Sequence, residues 1–237
     1  INSLNSLGIN KAEYLIHCAA PLDLDKGELE RKEHYKDIFI LTKNLADYCV
    51  KYNIKIIYMS STGVYGNWKQ SPYEEEDKCL PTSYHHKCKY KAESYIIKNL
   101  SNYFILRLGW IFSSKFSHQN HDFVSKIYAI LKKNEDLITN MVQKGVPTPT
   151  CLVDEVVRFI LEHPDLRSDT INVVSSGQAT RMEYISAIQD FFETKCIIEG
   201  TENFSRDAKV SDNETASNKK LSKLINKNIL DWKGYIF

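Results

Sequence analysis

The chain has 237 residues, 43% of them hydrophobic and 26% charged, a composition typical of a folded globular protein that excludes disordered and collagen-like chains. Its 31 Lys and Arg residues against 30 Asp and Glu residues leave a net charge of +1, which supplies no basic field for a nucleic-acid partner. No apolar run approaches the roughly 20 residues of a membrane span, and six scattered cysteines without a C-x-x-C pair are typical of reduced thiols rather than a structural metal site. We therefore expect a cytoplasmic protein with no membrane contact and no metal.

Alternating strand and helix patterns fill the first 112 residues. Buried-type apolar runs predict strands over Tyr14 to Ala20, Asn53 to Ser60 and Tyr103 to Ile111. Apolar residues spaced by three and four predict helices over Asp37 to Lys51 and Tyr84 to Leu100. Two successive strand–helix–strand crossovers of this kind indicate a parallel α/β sheet.

The second half of the chain has a different texture. His118 and His121 are three residues apart in a polar stretch, which favours a loop over a metal pair. The segment 201–217 is polar and predicts a loop. The remaining patterns predict a strand over Thr170 to Val174 and helices over Asp122 to Lys133, Asp154 to Glu162, Met182 to Phe192 and Asn218 to Leu224.

Two motifs place chemically active residues near the predicted sheet. The segment Tyr58 to Gly66, YMSSTGVYG, puts hydroxyl side chains just beyond the carboxyl end of the second strand, where open α/β sheets bind ligands, although a simple strand-capping turn is the plain alternative. Downstream, His85, Lys89 and Glu93 are spaced by four and share one stripe of a helix. That stripe either faces a pocket or forms a solvated, lysine-rich face.

Taken together, the motifs resemble the extended short-chain dehydrogenase/reductase family. The features shared with it are HCAAP at a strand end, SSTGVYG at the next, PYEEED followed by a proline, and a lysine followed four residues later by glutamate. From about residue 12 to the end, ILRLGWIF, HDFVSKI, PTCLVDEVV and NKKLSKLINKNILDWKGYI are similar to the dTDP-4-dehydrorhamnose reductase branch. The positions that carry the joint spacing are Ala19, Ala20, Ser61, Lys89, Arg107, Thr150 and Asp154.

The resemblance implies a fold and an activity. The fold is a Rossmann-like parallel sheet with helices on both faces, truncated at its N-terminal side, plus a small α/β C-terminal substrate-binding subdomain. Residues 1–112 would form the remaining part of the NAD(P)-binding domain, and residues 113–237 mainly the subdomain, with 150–175 returning to the sheet. The implied activity is NAD(P)H-dependent reduction of a nucleotide-linked 4-keto sugar, in a protein that could form a homodimer.

Site residues also transfer from the family by position. Ser61 would hold the substrate oxygen, and Lys89 would tune the proton donor and bind the nicotinamide ribose. The other cofactor-binding positions are Ala19, Ala20, Ser60, Leu108 and Gly109. The substrate-binding positions are Thr62, Trp110, Phe123 and Thr150.

The proton donor does not transfer cleanly. The family pattern is Tyr-x-x-x-Lys, yet His85 occupies the tyrosine slot, and Tyr84 lies five residues before Lys89, about 140° around a helix. Tyr84 could reach in from the helix entrance or across a π-bulge. Alternatively His85 replaces it, as the ordinary pKa of histidine permits, or the site has no activity.

Two further departures keep other functions open. Ile38 stands where the family usually carries an asparagine, and only Gly8 precedes Gly27, so the glycine-rich turn that binds the cofactor pyrophosphate is missing. We expect either a truncated chain or a relative that lost cofactor binding, and poor binding of NADP or NAD by these 237 residues. The alternative functions are a non-catalytic regulatory subunit, as in methionine adenosyltransferase, and an NAD-dependent sugar epimerase or dehydratase.

Overall fold

A computed structural model of the chain describes residues 11–113 and 122–236. Its central sheet has four parallel strands, β1 Tyr14–His17, β2 Lys55–Ser61, β3 Tyr103–Leu108 and β8 Asp169–Val173. Their order in the sheet is β1-β2-β3-β8. In the register, Ile57 of β2 pairs with Ile16 on one side and Phe104 on the other.

Helices cover both faces of this sheet, as predicted. Ile56 and Tyr58 of β2 face one apolar core, whereas Ile57 and Met59 face the other, because successive side chains of a strand point to opposite sides. Helix α1 Leu24–Leu29 packs against α2 Arg31–Tyr35 and α4 Tyr84–Asn99. The first core lies under α2, a π-type turn Lys36–Ile40, α3 Leu41–Tyr52 and α4. The second lies under α6 Thr150–Glu162 and α8 Lys219–Leu224.

A smaller α/β region packs beside the sheet around an aromatic core that includes Trp110, Tyr184 and Trp232. Its strands pair as β4 Trp110–Phe112 with β7 Pro147–Pro149, β5 Leu137–Asn140 with β10 Ile198–Thr201, and β6 Lys144–Gly145 with β9 Ala179–Thr180. Its helices are α5 Phe123–Leu131, α7 Arg181–Phe191 and α9 Lys233–Ile236.

The third predicted strand is broken in the structure. Instead of continuing to Ile111, β3 ends at Leu108, and the Trp110 amide donates a hydrogen bond to the Val146 carbonyl at 2.8 Å. A Cβ atom at Gly109 would lie 2.4 Å from that same carbonyl oxygen, so only glycine allows the close approach. The break redirects the chain from the sheet into the smaller region.

Three other predicted boundaries move. The first strand ends at His17 rather than Ala20, because the residues after it turn to line a cavity. The helix expected from Asp154 starts at Thr150, directly after the extended Pro149, and β10 extends to Thr201, inside the segment expected to be a loop. The division at residue 112 stays a prediction.

Two findings concern membranes and metals. No helix among residues 11–113 and 122–236 combines the length and the apolar character that a bilayer crossing requires. Within the same ranges no three or more His, Cys, Asp or Glu side chains group in a way that could hold a metal ion. His118 and His121 lie outside the described residues.

Candidate active site

A cavity of about 650 Å³ opens at the carboxyl ends of β1, β2 and β3. Ligand sites of open α/β sheets lie at this edge, because the loops that leave the strands diverge there. Most of the residues proposed from the sequence line it, namely Ala20, Ser60, Ser61, His85, Lys89, Leu108, Gly109, Trp110 and Thr150. The fold therefore brings together positions that are distant in the chain.

The other proposed residues lie elsewhere. Ala19 is exposed, and Thr62 is buried at the start of a short 3-10 turn, Thr62–Tyr65. Phe123 packs in the aromatic core with its ring centroid 5.2 Å from that of Tyr184. None of these three is among the residues that line the cavity.

Ser61 is held at the end of β2 by two neighbours. Its Oγ accepts a hydrogen bond from the Gly63 amide at 3.2 Å and lies 3.3 Å from Nε2 of His86. The other ring nitrogen of His86, Nδ1, lies 3.0 Å from Oγ of Ser83, the residue that caps α4. No motif in the sequence marks His86, since its role depends on a turn more than 20 residues earlier in the chain.

The hydrogen bonds around His86 determine which way Ser61 points its proton. Burial lowers the pKa of His86, so its ring is neutral and one nitrogen must accept. Ser83 Oγ already accepts from the His86 amide, and among the described residues its hydroxyl proton has only Nδ1 to bind. Nε2 then carries the ring proton and donates it to Ser61 Oγ, which leaves the Ser61 hydroxyl free to donate into the cavity.

His85 lines the cavity as a neutral imidazole. Burial, together with the neighbouring His86, Lys89 and His34, which can each carry positive charge, lowers its pKa to about 2. Its Nδ1 lies 3.0 Å from Nε2 of His34, so Nε2 is the ring nitrogen left for a ligand. His85 can therefore offer one N–H at the cavity wall.

Lys89 supplies the positive charge of this wall. Its Nζ donates a 2.7 Å hydrogen bond to the Met59 carbonyl and lies 5.3 Å from the centroid of the Tyr58 ring. Burial lowers the Lys89 pKa to about 8, partly opposed by Glu93, so the side chain remains mainly charged at neutral pH. The β2 backbone thus holds an ammonium group beside Ser60 and Ser61.

Tyr84 faces away from this cavity. It is the first residue of α4, which is α-helical throughout and contains no π-bulge. Its amide donates to Glu28 Oε1 at 2.6 Å, and the Arg31 guanidinium lies 5.1 Å from the ring centroid. The structure places His85, not Tyr84, beside Lys89 in the cavity.

Glu93 shares a helix stripe with Lys89 but does not reach the cavity. It is fully buried and forms a bidentate ion pair with Arg107, with Nη2 to Oε2 at 2.8 Å and Nε to Oε1 at 3.2 Å. At Glu93 the stripe faces neither the pocket nor solvent, because α4 buries this turn against β3. Asp154 likewise lies outside, in an exposed ion pair with Arg158.

A second part of the cavity wall contains polar residues that sequence reasoning missed. The Arg181 guanidinium lies 3.6 Å from the Trp110 ring centroid, and the Trp110 indole donates to Glu214 Oε2 at 2.8 Å. Glu214 Oε1 is buried and has no hydrogen-bond partner among the described residues. Gln143 and Arg206 complete this wall. No local spacing links these residues, since Gln143 follows β5, Arg181 begins α7, and Arg206 and Glu214 lie in the segment between β10 and α8.

A parallel sheet covered on both faces by helices, with a cavity at its carboxyl edge, defines a Rossmann-like α/β protein. The model of the RmlD substrate binding domain family matches residues 4–236, and the chain belongs to this family.

Several named proteins that resemble this chain are dTDP-4-dehydrorhamnose reductases. The dTDP-4-dehydrorhamnose reductase of Sinorhizobium fredii is 27% identical over 136 residues, 57% of this chain and 45% of that protein, and the chain spans about half the length of the curated relatives it matches. The dTDP-4-dehydrorhamnose reductase structures from Clostridium acetobutylicum and, in complex with NADP, Bacillus anthracis superimpose with TM-scores of 0.87 and 0.88 at 23% and 21% identity. Each covers 98% of this chain and 81% of the solved chain, and at these identities the likeness shows the fold.

Proposed function

We propose that the protein is an NAD(P)H-dependent reductase of a nucleotide-linked 4-keto sugar, similar to dTDP-4-dehydrorhamnose reductase. The observation that carries this proposal is the convergence of Ser61, His85 and Lys89 on one cavity at the carboxyl edge of the sheet. Two hydrogen-bond donors and a cation at one wall suit a carbonyl oxygen that becomes negative during reduction. The family membership supports the same reaction class.

The wall under the sheet edge fits a nicotinamide cofactor. Ser60 Oγ is buried at this wall without a partner among the described residues, and the Lys89 ammonium lies beside it. Both groups suit the hydroxyls and the amide of a nicotinamide riboside. Ala20, Ser60, Lys89, Leu108 and Gly109 would hold this end of NADP or NAD, which supplies a hydride for the carbonyl carbon.

The residues of this chain would stabilise the oxygen end of the reacting carbonyl. The Ser61 hydroxyl donates a hydrogen bond to the oxygen, and its own oxygen is held by Gly63 and His86. His85 Nε2–H is the second donor and provides the proton that completes the alcohol. The Lys89 charge favours both, since it stabilises the negative charge that develops on the oxygen.

The part of the cavity wall that contains Arg181, Arg206, Gln143 and Glu214 suits a nucleotide-linked sugar. Arg181 and Arg206 bring positive charge toward a diphosphate, with Arg206 positioned by Asp25 at 2.8 Å between Nη2 and Oδ2. Gln143 and Glu214 provide an amide and a carboxylate for sugar hydroxyls. Trp110 forms an apolar surface against which a sugar ring can pack.

The reaction can be tested directly on the protein as its gene encodes it. NADPH consumption is followed with dTDP-4-dehydrorhamnose as substrate, for the wild type and for the Ser61→Ala and Lys89→Met variants. We expect wild-type turnover and a loss of about 100-fold or more in each variant. No turnover by the wild type would reject the reductase function. Turnover unchanged in both variants would reject the roles given to Ser61 and Lys89.

A non-catalytic binding subunit is the second candidate. His85, a neutral imidazole, stands in the tyrosine slot, and the buried Ile38 occupies the asparagine slot. A protein that binds a nucleotide sugar but does not oxidise NADPH, and that co-purifies with a partner enzyme whose rate it changes, would favour this function.

A further inference from the structure

A second histidine reaches His85 from a different helix. His34, on α2, places Nε2 3.0 Å from His85 Nδ1, and the two ring centroids are 5.1 Å apart. His34 is 5% exposed and His85 6% exposed, so the contact is shielded from water. None of the roles proposed above for the site residues makes use of this contact between His34 and His85.

The position of His34 is tightly constrained. A Cβ atom at Gly27 of α1 would lie 2.6 Å from Cε1 of His34, so the ring is held in the space that this glycine leaves open. Helices α1 and α2 both pack against α4, which carries His85. The imidazole is therefore enclosed by three helices, with its Nε2 directed at His85.

His85 as a proton donor raises a problem of proton balance. A neutral imidazole that gives up its Nε2 proton becomes an anion unless its Nδ1 gains a proton in the same step. Nδ1 of His85 faces only His34 among the described residues. The proton that Nδ1 needs must therefore come from His34 Nε2.

The charges around the pair favour His34 over His85 as the residue that holds the extra proton before the reaction. Asp37, Glu28 and Asp23 each stabilise the protonated form of His34, although burial outweighs them and lowers its pKa overall. His85 faces His86 and Lys89 on its own helix, and both disfavour a second proton on the His85 ring. The acidic groups thus lie on the His34 side and the basic groups on the His85 side.

We propose that His34 is a positioning residue that supplies the proton His85 delivers, an inference that rests on the proposed reductase function. As the carbonyl carbon receives the hydride of NADPH, the Nε2–H bond of His85 breaks and the proton joins the substrate oxygen. The Nε2–H bond of His34 breaks at the same time, and that proton joins His85 Nδ1. The step runs in the molecules whose His34 carries two protons, a form that the lowered His34 pKa makes the minor one at neutral pH. His34 becomes neutral, His85 changes tautomer and stays neutral, and solvent later returns one proton to His34.

A pair of variants separates hydrogen bonding from proton transfer. In His34→Gln the amide nitrogen can still donate to His85 Nδ1 but cannot pass a proton on, whereas His34→Phe removes both abilities. His163→Gln is the matched control, because His163 is exposed at the end of α6. All are assayed as the gene encodes the protein, with NADPH and dTDP-4-dehydrorhamnose.

We expect His34→Gln to lower kcat by about 100-fold with KM changed less than about threefold, in line with the loss of general acid catalysis. The wild-type kcat should fall as pH rises through the His34 pKa, and the variant should lack that limb. The solvent deuterium isotope effect should reflect two protons in the wild type and one in the variant. NMR of nitrogen-labelled histidine should show His34, but not His85, titrating.

The outcomes distinguish the two proposals. An active wild type with a His34→Gln variant of equal kcat and equal pH profile overturns the role of His34 and leaves the reductase function standing. A wild type inactive on dTDP-4-dehydrorhamnose overturns the reductase function, and the role of His34 with it. Should His34→Phe fail to fold, His34→Gln alone still decides.

Discussion

His86 Nε2 lies 3.3 Å from Ser61 Oγ, and this contact orients the serine hydroxyl toward the cavity. Ser83 binds the far side of the ring at 3.0 Å, so the imidazole is held between two hydroxyl groups. A Cβ atom at Gly63 would lie 2.1 Å from Cε1 of His86, which shows how closely the turn after β2 packs on the ring. Ser61 is therefore preset as a hydrogen-bond donor before a substrate arrives.

His86→Phe should lower kcat by about tenfold without changing the KM for NADPH. Phenylalanine fills the same space but cannot donate to Ser61, whose hydroxyl then has no fixed orientation. Steady-state kinetics with NADPH and dTDP-4-dehydrorhamnose measure the effect, with Ser94→Ala on the exposed part of α4 as the control. An unchanged kcat in His86→Phe would show that Ser61 needs no such support.

Glu93→Gln should destabilise the fold by about 3–5 kcal/mol, because it leaves the buried Arg107 without its charged partner. Asp154→Asn is the matched control, since it breaks an ion pair whose side chains are 69% and 60% exposed and should cost less than about 1 kcal/mol. Urea unfolding at neutral pH gives both values. Equal losses for the two variants would contradict the structural role of the buried pair.

The free energy of unfolding should fall as the pH is lowered from 6.5 toward 4. Burial lowers the pKa of His17 to about 4 and that of His85 to about 2, whereas both residues have a pKa near 6.5 in the unfolded chain. Between those values the unfolded chain binds protons that the folded chain cannot, so acid favours unfolding.

Each of these histidines contributes a slope of about 1.4 kcal/mol per pH unit within its window. Urea unfolding at a series of pH values should therefore show a smaller slope in His85→Gln than in the wild type. The exposed His163→Gln should keep the wild-type slope. A His85→Gln slope equal to that of the wild type would argue against a neutral, buried His85.

Glu214→Gln should weaken binding of the nucleotide sugar by about tenfold. The buried Oε1 has no partner among the described residues and is available to a substrate hydroxyl, and hydrogen bonds to a charged acceptor are stronger than those to an amide. The amide oxygen of glutamine still accepts from the Trp110 indole. Calorimetric titration measures the Kd, with the exposed Glu202→Gln as the control; equal Kd values would exclude Glu214 as a substrate contact.

The 237-residue chain by itself should bind NADPH weakly. Its sequence contains no G-x-x-G-x-x-G turn, and such a turn brings backbone amides and a helix N-terminus to the cofactor pyrophosphate. Ser60 and Lys89 contact only the nicotinamide end in the proposed arrangement. Calorimetric titration that gives a micromolar Kd would contradict this expectation.

The strands and helices of the sheet follow directly from local patterns in the sequence. The alternation of Ile56, Ile57, Tyr58 and Met59 between two cores requires a strand buried on both faces, and only a parallel α/β sheet covered by helices provides this. Counting back four residues from Lys89 leads to His85, and both side chains line the cavity. Helix and strand periods are properties of the backbone, so local spacing predicts such shared faces.

The tertiary structure decided what the side chains meet. Tyr84 and His85 are adjacent in the sequence, yet one faces Arg31 and the other the cavity, because α4 begins at Tyr84 and turns the two by about 100°. How distant loops and helices pack determines that His34 contacts His85 and that Glu214 lines the cavity. Local spacing determines the direction of a side chain on its own element, whereas its partners are determined by chain segments that pack against that element, and no local pattern encodes those.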